Sequence, residues 1–175
     1  MSSTEKSYVP THAEFVVNFA PGEYNSGLCT LKDFKAGEIM ALVTGTTKNK
    51  KTYTSVQYGS GPEENFEFNS DLSYINHSCE PNVAVDISSN QPKWHLRALK
   101  NINAGEPLSF FYPSTEWDMT QPFGCTCGKP SCLGKIQGAL HISKDDLLAC
   151  QWINPHIMQL VNLRDARSAN GQTQQ

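Results

Sequence analysis

The chain has 175 residues, enough for one domain with a real core, or one domain and a small appendage. With 38% hydrophobic and 18% charged residues it has the composition of a globular protein, and a net charge of −3 excludes a broad basic surface for direct nucleic-acid binding. No apolar run is long enough to span a bilayer, so no membrane partner is expected.

Residues 1–12 are polar and read as a flexible arm. "AEFVVNF" (13–19) is a β-strand rich in β-branched and aromatic residues, and "PGEYNSG" (21–27) is a turn cluster. Residues 28–45 hold two short apolar strands around a Lys-Ala-Gly-Glu turn. Residues 46–69 are polar and marked by Gly and Pro, so they read mostly as loop with one strand at most. Two more strands flank a turn in residues 93–112. An internal echo joins these segments: "LKDFKAGEIM" (31–40) and "LKNINAGEPL" (99–108) share Leu-Lys and Ala-Gly-Glu at equal spacing. It supports many short strands rather than a doubly wound sheet. Helix is expected only in residues 143–165, where Ser143 and Asp146 form a capping pair and Asn154-Pro155 starts a second helix. The tail "RSANGQTQQ" is expected to fray.

The N-terminus lacks the charged-then-apolar pattern of a secretion signal, so an intracellular chain with reduced thiols is expected. Six cysteines then ask for a reason other than disulfides. Cys125, Cys127 and Cys132 lie in "CTCGKPSC", where Gly128 and Pro130 bend the chain and let thiolates converge on one ion. Three thiolates are one short of a closed structural zinc tetrahedron. Cys79 is the best candidate for the fourth, because Pro81 fixes its loop, "YINHSCEPN" (74–82). Cys29 and Cys150 lie in apolar surroundings and read as small core residues.

Four segments together resemble the SET-domain family, known as protein-lysine methyltransferases. "INHSCEPN" resembles its Asn-His-Ser-Cys-x-Pro-Asn signature, and "AGEPLSFFY" its second motif. "CTCGKPSCLGKI" resembles the zinc-binding post-SET tail, and "GLCTLKDFKAGEIM" the amino-terminal motif. The resemblance implies a mostly β, β-clip fold of short curved sheets with a pseudoknot, plus a small helical C-terminal extension. It implies a SET-like domain over 13–120, a post-SET zinc segment over 121–138, and a helical extension with a disordered tail over 139–175.

It also implies roles. S-adenosyl-L-methionine would lie against Gly27, Leu28, Asn76 and His77, with Trp117 as a roof, and Phe123 packing the tail. Tyr112 would be the catalytic tyrosine, and Phe110 and Tyr74 would line the substrate channel. Cys79, Cys125, Cys127 and Cys132 would hold a structural Zn2+. The acceptor would be a lysine of a protein or peptide. Some positions depart from the family pattern. Its Gly-x-Gly turn is Asn25-Ser26-Gly27 here, where Asn25 is expected to take the left-handed backbone, and its Asp before the catalytic tyrosine is Phe111. Its Tyr-x-Gly is Val43-Thr44-Gly45, and the segment between Gly45 and Phe68 that shapes the peptide groove is short. Two further readings therefore stand beside the first: a SET fold working on a small molecule, as methyltransferase or as cyclase, and a non-catalytic binding module.

Overall fold

The computed structural model describes residues 8–22 and 24–171. The strands within them are β1 (Phe15–Asn18), β2 (Gly27–Thr30), β3 (Ile39–Leu42), β4 (Thr46–Asn49), β5 (Val56–Gln57) and β6 (Asn65–Phe68). They continue with β7 (Asn76–His77), β8 (Val83–Asp86), β9 (His95–Ala98), β10 (Ser109–Phe110), β11 (Phe123–Gly124) and β12 (Lys135–Ile136). Among the described residues they make five small sheets: β1-β2, β3-β9-β8, β4-β6-β5, β7-β10 and β11-β12. Every pairing is antiparallel except β7 with β10. This is the mostly β architecture of short sheets that the sequence implies.

The internal echo has a structural meaning. Phe34 and Ile102, at matching places in the two copies, exchange backbone hydrogen bonds at 2.9 Å in both directions. The Ala36 N–H donates to Asn101 Oδ1 at 3.0 Å, and the Ala104 N–H donates to Asp33 Oδ1 at 2.8 Å. Gly37 N–H meets Ala98 O, and Gly105 N–H meets Thr30 O, each glycine at a φ of 87°. The two turns are thus a reciprocal pair about a local two-fold. Only glycine adopts that backbone without strain.

The segment 46–69 is more regular than its composition suggests. It forms β4, β5 and β6, three strands where one at most was expected, with loop between them. β4 (Thr-Thr-Lys-Asn) is an edge strand whose side chains mostly face water, so its polarity is compatible with pairing. Its neighbour β6 supplies the apolar face: Phe66 is 1% exposed and stacks on Trp94 at 5.1 Å. Burying such a side chain contributes about 2–3 kcal/mol.

Of the arm expected over residues 1–12, residues 1–7 lie outside the described part, and the stretch from Tyr8 to His12 is not loose throughout. The Thr11 and His12 N–H groups donate to Asp71 Oδ2 at 2.8 and 3.2 Å, and Asp71 N–H returns a bond to Thr11 Oγ1 at 2.9 Å. At the other end, Ser143 caps α1 (Lys144–Leu148) by accepting from Asp146 N–H at 3.1 Å. α2 (Pro155–Gly171) starts at the expected proline and continues past residue 165, so the fraying expected from Arg167 is absent as far as Gly171.

A second core cluster joins this extension to the β domain. Phe111, Ala139, Leu147, Ile157 and Val161 are its buried members, and Trp117, Ile142, Cys150 and Ile153 pack against it. Asn154 is fully buried and its side chain makes three bonds to two separate stretches of chain. Its Nδ2 donates to Val85 O at 2.9 Å and Ser114 O at 3.0 Å, and its Oδ1 accepts from Ile87 N–H at 3.1 Å. Phe111 now has a reason: an aspartate there would be buried under the extension without a partner.

Candidate active site

The parallel β7–β10 pair brings the two main motifs together, with Asn76 opposite Ser109 and His77 opposite Phe110. Asn82, the last residue of the signature, fastens them. Its Oδ1 accepts from Ser109 N–H at 2.8 Å and its Nδ2 donates to Pro107 O at 2.9 Å. Sequence reasoning assigned Asn82 no role, although an amide right after a Pro turn is a common way to satisfy backbone groups locally.

His77 connects the tyrosine to the cysteines. Its Nδ1 accepts from Tyr112 N–H at 3.2 Å, and its Nε2 lies 3.4 Å from Cys79 Sγ. Burial lowers its pKa to about 4, so it is neutral at physiological pH with the proton on Nε2, facing the thiol. Tyr112 donates its O–H to Ile75 O at 3.0 Å, and the Phe110 ring lies 4.7 Å away. Burial, with a smaller push from Glu116, raises the Tyr112 pKa to about 12, so the phenol keeps its proton.

The four expected thiols converge. The Sγ atoms of Cys79, Cys125, Cys127 and Cys132 all lie within 4.8 Å of one another, and Cys79 to Cys125 is 3.9 Å. Thiolates about 2.3 Å from a tetrahedral zinc would sit roughly 3.8 Å apart, so the set fits that ion. Without a cation the thiols compete for one negative charge. Burial pushes Cys79 up to about 12, while at Cys127 backbone N–H donors outweigh burial and bring it down to about 6. Glu80 ties the signature loop to the tail, accepting from Ser131 Oγ at 2.9 Å.

The expected donor-side residues separate into two groups. Gly27 and Asn76 do meet: a Cβ on Gly27 would come 3.1 Å from Asn76 Nδ2. That amide is turned toward the loop, where Nδ2 donates to Ser26 O at 3.0 Å, so it shapes the cradle with its donor and leaves Oδ1 for a ligand. A ligand can approach the backbone closely here because residue 27 has no side chain. Leu28 is different. Its side chain is fully buried in the main core and its C=O accepts from Leu108 N–H. Tyr24, at φ 61°, takes the left-handed backbone expected of Asn25, and Asn25 instead donates to Pro21 O at 2.7 Å.

Two aromatic positions differ in what they touch. Trp117 packs into the second core cluster, with the Arg164 guanidinium 5.8 Å from its ring. Phe123, expected to pack the tail, stands edge-on to His77 at 5.7 Å and to Tyr112 at 6.0 Å. Tyr74 turns away from the channel to meet Phe19 at 5.6 Å, and Ile75 takes its place beside Tyr112.

Two adjoining cavities open at Tyr112. The larger, about 390 Å³, is bordered by Val56, Phe68, Leu72, Ile75 and Phe110 and by the carboxylates Glu67 and Glu116. The smaller, about 210 Å³, lies between Tyr112 and Phe123 under Tyr24 and Tyr53.

Comparison with known proteins agrees with this geometry. The family model described as SET domain matches residues 25–113. A protein named methyltransferase flvH, from Aspergillus flavus, is 40% identical over 154 residues, covering 87% of this chain and 84% of that one. A histone-lysine N-methyltransferase, H3 lysine-36 specific, from Mycosarcoma maydis is 42% identical over 69 residues, 37% of this chain but only 7% of that protein. Among solved structures, KRYPTONITE in complex with mCHG DNA and SAH superimposes with a TM-score of 0.51 at 21% identity, over 65% of this chain and 27% of that chain. That likeness speaks for the fold alone. The chain belongs to the SET-domain family. It is a methyltransferase of the SET type, with S-adenosyl-L-methionine as its methyl donor and a four-cysteine cluster suited to zinc.

Proposed function

We propose that the chain transfers methyl groups to a primary alkylamine, that of a lysine side chain in a protein or peptide. The observation that carries this reading is the Tyr112 hydroxyl, pinned by Ile75 O at the mouth of a cavity walled by Phe110, Leu72 and Val56. An alkylamine has a pKa of about 10.4 and reacts only when neutral. An apolar wall disfavours its ammonium form. Tyr112, protonated and already donating to Ile75 O, offers its oxygen lone pair to an amine N–H and so aims the nitrogen. S-adenosyl-L-methionine supplies a methyl group already activated on a sulfonium. Gly27, Asn76, His77 and Phe123 would hold it, and a zinc ion on the four cysteines would clamp the tail that carries Phe123. Six free thiols, four of them gathered for a metal, support an intracellular setting.

A second reading, a small-molecule amine as acceptor, draws support from one comparison. The relative that matches nearly end to end is named only a methyltransferase, whereas the histone enzyme named above shares a small part of its length with this chain. The test is methyl transfer from radiolabelled S-adenosylmethionine to a single-lysine peptide and to short alkylamines. Label on the peptide supports the first reading, and label only on the amines supports the second. Donor binding with no transfer to either class overturns both.

A further inference from the structure

The larger cavity carries two carboxylates that methyl transfer to an amine does not use. Glu116 is 9% exposed and sits on the turn that follows Tyr112, its N–H donating to Tyr112 O at 3.0 Å. Its side chain accepts from Gln57 N–H at 2.9 Å and Thr115 Oγ1 at 3.2 Å, and both bonds end on Oε1. Glu67 repeats the arrangement, with Asn49 Nδ2 at 3.3 Å and Thr52 Oγ1 at 2.7 Å both on its Oε1. Each carboxylate is therefore anchored by one oxygen, and among the described residues no hydrogen bond reaches the other; both side chains border one cavity. The Lys51 ammonium, whose charge Glu116 feels, is directed to Asp118 O.

A buried carboxylate such as Glu116 is costly unless a cation meets it or it takes up a proton. That cation is not the reacting amine, because a carboxylate beside it would favour the unreactive ammonium. The charge must sit elsewhere on the acceptor. We propose that Glu116 and Glu67 select acceptors with a second positive charge, holding it on their free oxygens while the reacting amine occupies the Tyr112 end. This rests on the reading of the chain as an amine methyltransferase. The shared chemistry is an alkylammonium a few bonds from a reactive amine, which a free diamine supplies and so does a lysine with a basic neighbour. Tyr24 and Tyr53 meet edge to face at 6.4 Å at the same mouth, adding aromatic surface for a cation.

Burial pushes the Glu116 carboxyl up to about 7, against its hydrogen bonds from Gln57 and Thr115. Lys51 lowers it and Glu67 raises it. Tyr24, Tyr53 and Tyr112 are the other titratable groups on the cavity. Selection should therefore weaken as pH falls below about 7, where Glu116 gains a proton.

The experiment is calorimetry on the zinc-loaded full chain saturated with S-adenosylhomocysteine, at pH 8. Pentylamine and 1,5-diaminopentane differ by one ammonium and are the probes. The diamine should bind at least tenfold more tightly. In Glu116→Gln, which keeps an acceptor for Gln57 and Thr115, the ratio should fall below about threefold with S-adenosylhomocysteine affinity unchanged. Equal binding of the two amines by the parent chain overturns the proposal. If Glu116→Gln does not fold, Glu67→Gln carries the test, and an undiminished ratio there overturns it as well. The kcat/KM of lysine peptides with a flanking arginine or alanine identifies the source: an arginine preference that Glu116→Gln removes supports the same charge rule on a peptide. Failure of S-adenosylhomocysteine to bind at all strikes the methyltransferase reading itself, a separate outcome.

Discussion

The two sides of Tyr112 are built by different rules. On the donor side, Asn76, His77, Asn82 and the four cysteines hold one another through backbone pairing, amide bonds and thiols that converge on one point. Every group there has a partner that constrains it. On the other side, Glu67, Glu116, Tyr24 and Tyr53 border a cavity, and the hydrogen bonds to each carboxylate end on one oxygen. The first side is fastened at many points, whereas the second is an open surface; on the proposed function, the first would fix the donor and the second would choose the acceptor.

The largest effect should come at the seam. Tyr112→Phe removes the hydroxyl that both sides share, and turnover should fall by about 10³-fold. Calorimetric donor affinity should stay within a factor of two, and a parallel loss of affinity would place Tyr112 in the donor fixture instead. Next comes an acceptor-side effect read by stability. The Glu116 carboxyl titrates near 4.5 unfolded and about 7 folded, so the folded chain binds the extra proton between those values. Stability from this group is thus present at low pH and declines as pH rises through that window. Relative to Glu116→Gln, the parent should lose on the order of 3 kcal/mol from pH 4.5 to above 7, measured by urea unfolding. A flat difference would mean that Glu116 is solvated. The smallest change is on the donor side. Cys127→Ser should abolish zinc binding, read by metal analysis. Donor affinity should fall roughly tenfold, about 1.4 kcal/mol, because Phe123 loses its clamp. Unchanged metal content would break the assignment of the tail.

The cysteine cluster and the signature loop beside it were largely readable from the sequence because their groups sit at fixed short spacings. Asn76, His77 and Cys79 are neighbours in the chain, and so are Cys125, Cys127 and Cys132. Which aromatic faces the pocket was not readable. Trp117 and Phe123 lie six residues apart on an irregular stretch, where no period says which way a ring points. That Leu28 enters the core and Tyr74 meets Phe19 was unreadable for a related reason, since a motif gives an address but not which of two faces its side chain takes. Glu116 left no signal at all. Its burial depends on β5 supplying the Gln57 N–H, and the segment that holds β5 read as polar loop. Phe111 looked like a defect until the extension was seen to cover it.

The amide of Asn154 sets a lower bound on what can be handled as an independent piece. A fragment trimmed to the family-matched stretch would bare Phe111, orphan the Val85 carbonyl and the Ile87 N–H, and invite self-association through a freshly uncovered greasy face. Expression trials and grafting experiments should therefore carry the final helix along, as a permanent back plate rather than an optional handle.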